Sequence, residues 1–264
     1  MKKNNFLVIG ETSQLGYYFP EDFEKISSRN INIDDFKDKF YDRIFFCFGE
    51  QRTYIENSND NLLQLFIDIN VDYTIKLVDF FKNICGKLII YSTSELWNNC
   101  EGTIDINTAF NFNYSPYIKS KEILTQHILN KDYPNVIILY PFNFNSVYRK
   151  SGFLFNKIFN SIITEEKIEI GDTYFFRDLI HPKYVVERSM LCETHEIVGS
   201  GRLTHVNDFI RNLYYHFGLI YDDLVTENFN KYLSVKRKTF YLDSFEIKYK
   251  NLFEDTVDDI RKFI

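Results

Sequence analysis

Four short apolar runs, each stopped by a glycine, a proline or a hydroxyl cluster, govern what this chain can fold into. They are Phe6-Leu7-Val8-Ile9 before Gly10, Arg43-Ile44-Phe45-Phe46-Cys47-Phe48 before Gly49, Lys87-Leu88-Ile89-Ile90-Tyr91 before Ser92, and Val136-Ile137-Ile138-Leu139-Tyr140 before Pro141. Continuous apolar runs of this length read as strands buried on both faces, as in a parallel sheet. A weaker strand is expected at Glu24–Ser27. Between strands the spacing turns helical. Leu62, Leu65, Phe66, Ile69, Tyr73, Leu77, Phe80 and Phe81 predict a helix over 62–81, with Asn70 inside it. Strands alternating with helices predict an α/β, doubly wound parallel sheet.

The later chain is mixed. Helices are expected over 153–163, 184–193, 206–217 and 256–264, with short strands at 167–170 and 177–180. Thr204 or Asn207 would cap the helix at 206, and Gly218 would stop it.

Composition narrows the function classes. The 264 residues carry a formal charge of -6 with both signs interspersed. That leaves no basic footprint for nucleic acid and no attraction to a membrane surface. No apolar run approaches the ~20 residues that span a bilayer. The N-terminus lacks the apolar core of a signal peptide, so the expected location is cytoplasmic. Cys47, Cys85, Cys100 and Cys192 lack CxxC spacing, and neither a metal site nor a disulfide framework is expected. Cys47, inside an apolar run, reads as a buried small hydrophobe.

Three stretches carry chemistry. Gly10-Glu11-Thr12-Ser13-Gln14-Leu15-Gly16 follows the first strand and has the outer spacing of a dinucleotide-binding turn, with Ser13 where the middle glycine usually stands. Gly10, Thr12, Ser13, Gln14 and Leu15 are its candidate binders; the alternative is a plain strand-to-helix turn. After the second strand, Ser27-Ser28-Arg29 offers hydroxyls and a guanidinium where an acidic residue would select NAD. Ser28 and Arg29 therefore point to a 2′-phosphate and NADP(H), with NAD still possible; the alternative is a solvated turn. Ser115-Pro116 is a helix start, and it puts Tyr117 and Lys121 one turn apart on one face. An ammonium beside a phenol lowers its pKa from about 10, as general acid–base work near neutral pH requires. The alternative is an ordinary amphipathic helix. At the end of the strand at 87–91, Ser92-Thr93-Ser94-Glu95 places hydroxyls and a carboxylate at a crevice edge; the alternative is a strand-ending turn.

Together, in order and spacing, these stretches resemble the extended short-chain dehydrogenase/reductases, the nucleotide-sugar epimerases, dehydratases and reductases. The resemblance covers nearly the whole chain. Gly10, Ser13 and Gly16 fall on the family's glycine-rich loop, and Tyr117 and Lys121 match its YxxxK pair. Thr93 takes the catalytic Ser/Thr place by its offset to Trp97. Leu139-Tyr140-Pro141-Phe142-Asn143 is similar to the LRP segment, with Tyr140 for the arginine. Gly171-Asp172 with Arg177-Asp178-Leu179-Ile180-His181 looks like the stretch that meets the substrate diphosphate.

The resemblance implies a Rossmann-type dinucleotide-binding domain over 1–145, its sheet completed by part of the later chain, and a substrate lobe over 146–264. It implies Thr93, Tyr117, Lys121 and Glu95 as catalytic residues, Pro141 near the cofactor, and Ser94, Asn143 and Arg177 near a nucleotide-diphosphate sugar. A salt bridge to Asp172 or Asp178 is the other reading of Arg177, and His181 reads as a structural histidine. Glu95 stands where 4,6-dehydratases carry an acid. The Ser-Ser-Arg run and short C-terminal lobe rank a 4-keto-deoxysugar reductase of surface-polysaccharide synthesis first, an epimerase or dehydratase second, and a catalytically inactive nucleotide-binding member third. A homodimer is implied by the family alone.

Overall fold

A computed structural model of the chain describes residues 5–29, 31–52, 62–100, 103–228 and 249–264. They fall in two compact units. The first takes Met1–Leu96, Phe112–Pro141 and Lys183–Val198, and the second Trp97–Asn111, Phe142–Pro182 and Gly199–Ile264.

The first unit is built on a six-stranded sheet. Its strands are β1 (Phe6–Ile9), β2 (Glu24–Ile26), β3 (Tyr41–Phe46), β4 (Cys85–Tyr91), β5 (Val136–Pro141) and β10 (Glu196–Val198). They pair in the order β10-β5-β4-β3-β1-β2, every pairing parallel. Leu7, Val8, Ile9, Ile44, Phe45, Leu88 and Ile89 are fully buried, as strands covered on both faces require. The order reverses between β2 and β3, so the topological switch point lies at the C-terminal ends of β1 and β3. Open parallel sheets bind ligands there. The edge strand β10 was not expected from the sequence: Glu-Ile-Val is too short to announce itself.

The helix at 62–81 forms as α1 (Leu62–Ile67), a π-helical turn (Asp68–Tyr73) and α2 (Thr74–Phe81). The wider π turn rotates the buried face. Leu62, Phe66, Asn70, Val71, Thr74, Leu77, Val78 and Phe81 point inward, while Leu65, expected on that face, is exposed. Opposite runs α3 (Pro116–Lys131), the best-specified helix of the chain. Ser115 is its N-cap, with Oγ accepting from Ile118 N at 3.2 Å and Pro116 in the first turn. Asp132 closes it in the left-handed region (φ 47°). The unit also holds nearly all of α5 (Pro182–Leu191).

One expectation fails here. Dinucleotide folds place a helix after the first strand, but 10–23 contains only a three-residue 3-10 turn, Gly16–Tyr18. Phe19 leaves that turn extended, ahead of Pro20, which disfavours helical geometry in the residue before it.

Among the described residues the second unit holds three two-stranded pairings: β6 (Asn143–Phe144) with β9 (Leu179–Ile180), β7 (Ile168–Ile170) with β12 (Val225–Glu227), and β8 (Phe176–Arg177) with β11 (Thr204–His205). Its helices are α4 (Leu154–Thr164), α6 (Val206–His216), α7 (Tyr221–Leu224) and α8 (Leu252–Arg261). Neither Thr204 nor Asn207 caps α6. His205 holds the cap position without a side-chain bond to the helix backbone, and the Asn207 amide donates to Thr173 Oγ1 and Glu227 Oε1 instead. Gly218 ends that helix in the left-handed region (φ 74°).

No described helix is long and apolar enough to cross a membrane. Among the described residues no cluster of His, Cys, Asp or Glu could hold a metal ion, and the four cysteines are unpaired. Cys47 is buried, and that burial pushes its thiol far above the usual range.

Candidate active site

Tyr117 and Lys121 lie on the first two turns of α3. The Tyr117 ring is half-buried and meets Phe66 edge-on at 5.9 Å between centroids. Lys121 is 8% exposed, and its ammonium donates to the carbonyl of Tyr91, the last residue of β4, at 2.9 Å. Burial pushes its pKa down to about 8. At pH 7 it is still mostly charged, with two donor directions beyond the one given to Tyr91.

The end of β4 is tied to α3. Ser92 Oγ and Thr125 Oγ1 share a hydrogen bond at 2.8 Å. Thr93 and Ser94 follow, both buried, and Glu95 is half-buried. The Thr93 Oγ1 accepts from Glu95 N at 3.2 Å. A hydroxyl that accepts from the backbone keeps its proton to donate elsewhere. Thr93 is therefore set up as a donor two residues beyond the carbonyl that holds Lys121.

Asn70, on the π turn, was seen in the sequence without a role. Its Oδ1 accepts from Glu50 N at 2.7 Å, and its amide donates to Glu50 O at 3.1 Å and to Ser120 Oγ at 3.0 Å. It thus bolts the loop after β3 to α3 beside Lys121. A methyl group at Gly49 would lie 3.0 Å from Asn70 Oδ1 and 3.7 Å from Lys121 Nζ, so that loop runs past both. A polar residue in register with Leu62, Phe66 and Thr74 was the available signal. The loop carries its own ion pair. Burial pushes the Glu50 carboxyl up, but hydrogen bonds from the Arg52 side chain and backbone outweigh this and hold it below the usual range.

The loop after β1 lies at the switch point. Gly10 has φ 105°, and a Cβ there would meet the carbonyl carbon and oxygen of Cys47 at 2.9 Å. A Cβ at Gly16 would collide with the carbonyls of Gly10 and Glu11, the latter oxygen at 2.7 Å. Ser13, in the middle position, is not merely small: its Oγ accepts from Gly16 N at 3.0 Å and closes the turn. Gln14 reaches Gln51 across the switch point, Nε2 to Oε1 at 3.1 Å. The backbone N–H groups of Thr12, Gln14 and Leu15 make no hydrogen bond with the described residues. Close-packed glycines with open N–H groups fit a diphosphate. Gly16→Ala is expected to lower stability by about 1–3 kcal/mol, as thermal unfolding would measure.

Ser28 and Arg29 follow β2. Tyr73 Oη donates to Ser28 O at 2.6 Å, Arg29 N donates to Ser27 Oγ at 3.2 Å, and the Arg29 side chain is exposed. Pro141 ends β5. Before it, Tyr140 is fully buried, which raises its phenol well above the usual range.

The remaining candidates belong to the second unit. Asn143 opens β6, beside Leu179 of β9. Arg177 is buried, with its guanidinium over the Phe175 ring at 4.4 Å and Nη1 donating to Phe176 O at 2.7 Å. Asp172 accepts from Tyr174 N at 2.8 Å, and Asp178 from Ser200 N and Oγ at 2.8 and 2.7 Å. His181 is buried beside Asp259, Nε2 to Oδ2 at 2.9 Å.

No protein-family model matches the sequence, and a search of curated proteins finds no match. Solved structures do match. A UDP-N-acetylglucosamine 4-epimerase from Methanobrevibacter ruminantium M1, in complex with UDP-N-acetylmuramic acid, superposes with a TM-score of 0.80 at 16% identity over 100% of both chains. RMD from Pseudomonas aeruginosa, complexed with NADPH, gives 0.76 at 14% identity over 98% of this chain and 99% of that one. DesIV, a dTDP-glucose 4,6-dehydratase from Streptomyces venezuelae with NAD bound, gives 0.74 at 15% identity over 98% and 97%. At such identities the likeness is one of fold alone: a Rossmann-like, six-stranded parallel sheet with flanking helices.

Proposed function

We propose that the chain is an NAD(P)H-dependent oxidoreductase of nucleotide-linked sugars, and within that class a 4-keto-deoxysugar reductase. One observation carries the proposal: a buried lysine one helical turn from Tyr117 is held on the carbonyl that ends β4, and two residues beyond that carbonyl stands a threonine set up to donate. That arrangement prepares proton transfer to a carbonyl oxygen.

Gly10, Thr12, Ser13, Gln14, Leu15 and Pro141 would hold the dinucleotide, and Ser28 and Arg29 would favour the 2′-phosphate of NADP(H). A nicotinamide bound there would supply the hydride for reduction of the sugar carbonyl. Thr93 donates a hydrogen bond to the C4 oxygen and polarises the carbonyl. Tyr117 passes its proton to that oxygen as the carbonyl is reduced to an alcohol. Lys121 stabilises the phenolate left behind and so makes the proton available. Asn143, Ser94 and Arg177 are proposed to bind the substrate, the Arg177 guanidinium by a bidentate contact with its diphosphate.

A second reading, a 4,6-dehydratase, is favoured by Glu95 two residues after Thr93 and by the likeness to DesIV. Glu95→Gln separates the two. In a reductase it changes kcat less than about threefold; in a dehydratase, loss of the acid lowers it by about 10² or more. The direct test is a panel of nucleotide-linked sugars and their 4-keto forms, with NADPH and NADH, followed at 340 nm. Steady oxidation of added NADPH by a 4-keto sugar supports the reductase. Elimination of water from a nucleotide-linked hexose without net cofactor consumption would replace it by the dehydratase.

A further inference from the structure

The first crossover of the sheet lacks the helix whose positive pole would face a diphosphate in dinucleotide folds. Lys25, in the middle of β2, occupies the space beneath the turn that remains. Its ammonium donates to Gly16 O at 3.2 Å and to Phe19 O at 2.8 Å. In a full helix those carbonyls would be passed on to the N–H groups of the next turn. Here a whole positive charge takes them.

The acidic neighbour on the same strand does not cancel it. Glu24 alternates to the other face of β2, where it accepts from Lys39 Nζ and Tyr41 Oη at 2.8 Å each. The turn backed by Lys25 is the one that Ser13 Oγ closes, next to the open N–H groups of Thr12, Gln14 and Leu15. The loop therefore combines N–H groups that bond no described residue with an ammonium held on its carbonyls.

We propose that Lys25 takes the place of the missing helix pole: it fixes the turn and supplies the positive potential that retains the dinucleotide's diphosphate. It is a positioning residue, acting through the loop. The inference rests on the dinucleotide reading above and adds to it where the charge comes from.

The test compares wild type with Lys25→Gln, Lys25→Met and Lys25→Arg. The ligands are NADPH, ADP and adenosine, titrated at low and at high salt, with thermal unfolding alongside. Gln keeps a donor and loses the charge, and Met is run beside it so that a folded neutral variant is at hand. The expected result is about tenfold weaker binding of NADPH and ADP to the neutral variants at low salt. Adenosine, which has no phosphate, should be unaffected, and high salt should narrow the gap. Lys25→Arg should stay within about threefold of wild type. Neutral variants that bind NADPH as tightly as wild type would overturn the proposal. So would an equal loss of ADP and adenosine, because Lys25 would then only hold the turn. Failure of the wild type itself to bind any dinucleotide would remove the cofactor reading, and the role of Lys25 with it.

Discussion

Replacing Tyr117 with Phe is expected to lower kcat by about 10²- to 10⁴-fold, the range that a positioned general acid contributes. The substitution keeps the ring and its edge-on contact with Phe66, 5.9 Å between centroids. It removes one hydroxyl from a half-buried side chain, for which a loss of about 1 kcal/mol is the scale. Folding should therefore be nearly intact, with Tm lowered by no more than about 4 °C. The dissociation constants of dinucleotide and nucleotide sugar should stay within a few-fold, because the proton is needed in the transition state and not for binding. Steady-state kinetics, titration and thermal unfolding on one preparation measure all three. Turnover equal to wild type would take Tyr117 out of the mechanism.

Lys121→Met should separate catalysis from stability more sharply. Lys121 is buried with one hydrogen bond to Tyr91 O, and burial lowers its pKa from 10.5 to about 8. A folded-state pKa below the unfolded one means the charged form is penalised by folding. Below pH 8 both folded and unfolded chains carry the proton, and the penalty is present in full, on the order of 3 kcal/mol. Between about pH 8 and 10.5 the folded chain gives the proton up while the unfolded chain keeps it. Stability of the cofactor-free protein should therefore rise across that window through this group. Methionine fills similar volume without the charge, so the variant should be more stable at pH 7 by about 1–3 kcal/mol, and the rise should vanish. Turnover should fall by about 10²-fold or more, because the phenolate of Tyr117 loses its counter-charge. Denaturant unfolding from pH 6 to 10.5, with kinetics at pH 7, tests both halves. A variant as active as wild type, or one that keeps the rise, would refute the assignment. The expected pair of results, a more stable variant that turns over slowly, would mean the ammonium is kept in the fold at a cost to stability, a pattern expected of groups retained for function.

What could be read directly from the chain was local. β1, β3, β4 and β5 are legible because each is a continuous apolar run, and such runs are stable only inside a sheet covered on both faces. The start of α3 is legible because Ser115 and Pro116 act within one turn of themselves, and the Tyr117–Lys121 spacing is a property of a single helix. The rest depends on partners far along the sequence. The edge strand at Glu196–Val198 exists because Leu139, Tyr140 and Pro141 offer it a neighbour, not because three residues prefer to be extended. Asn70 gains its role from Glu50 and Ser120, 20 and 50 residues away. The missing first helix, and the lysine that backs its turn, follow from how 10–23 packs on β2. The lowered pKa of Lys121 comes from burial, which no spacing encodes. Propensity and patterning act over a few residues, so the chain alone set the strands, the cap and the pair. Desolvation and hydrogen bonding between distant segments arise only on folding, so the tertiary structure alone decided the electrostatics of the site.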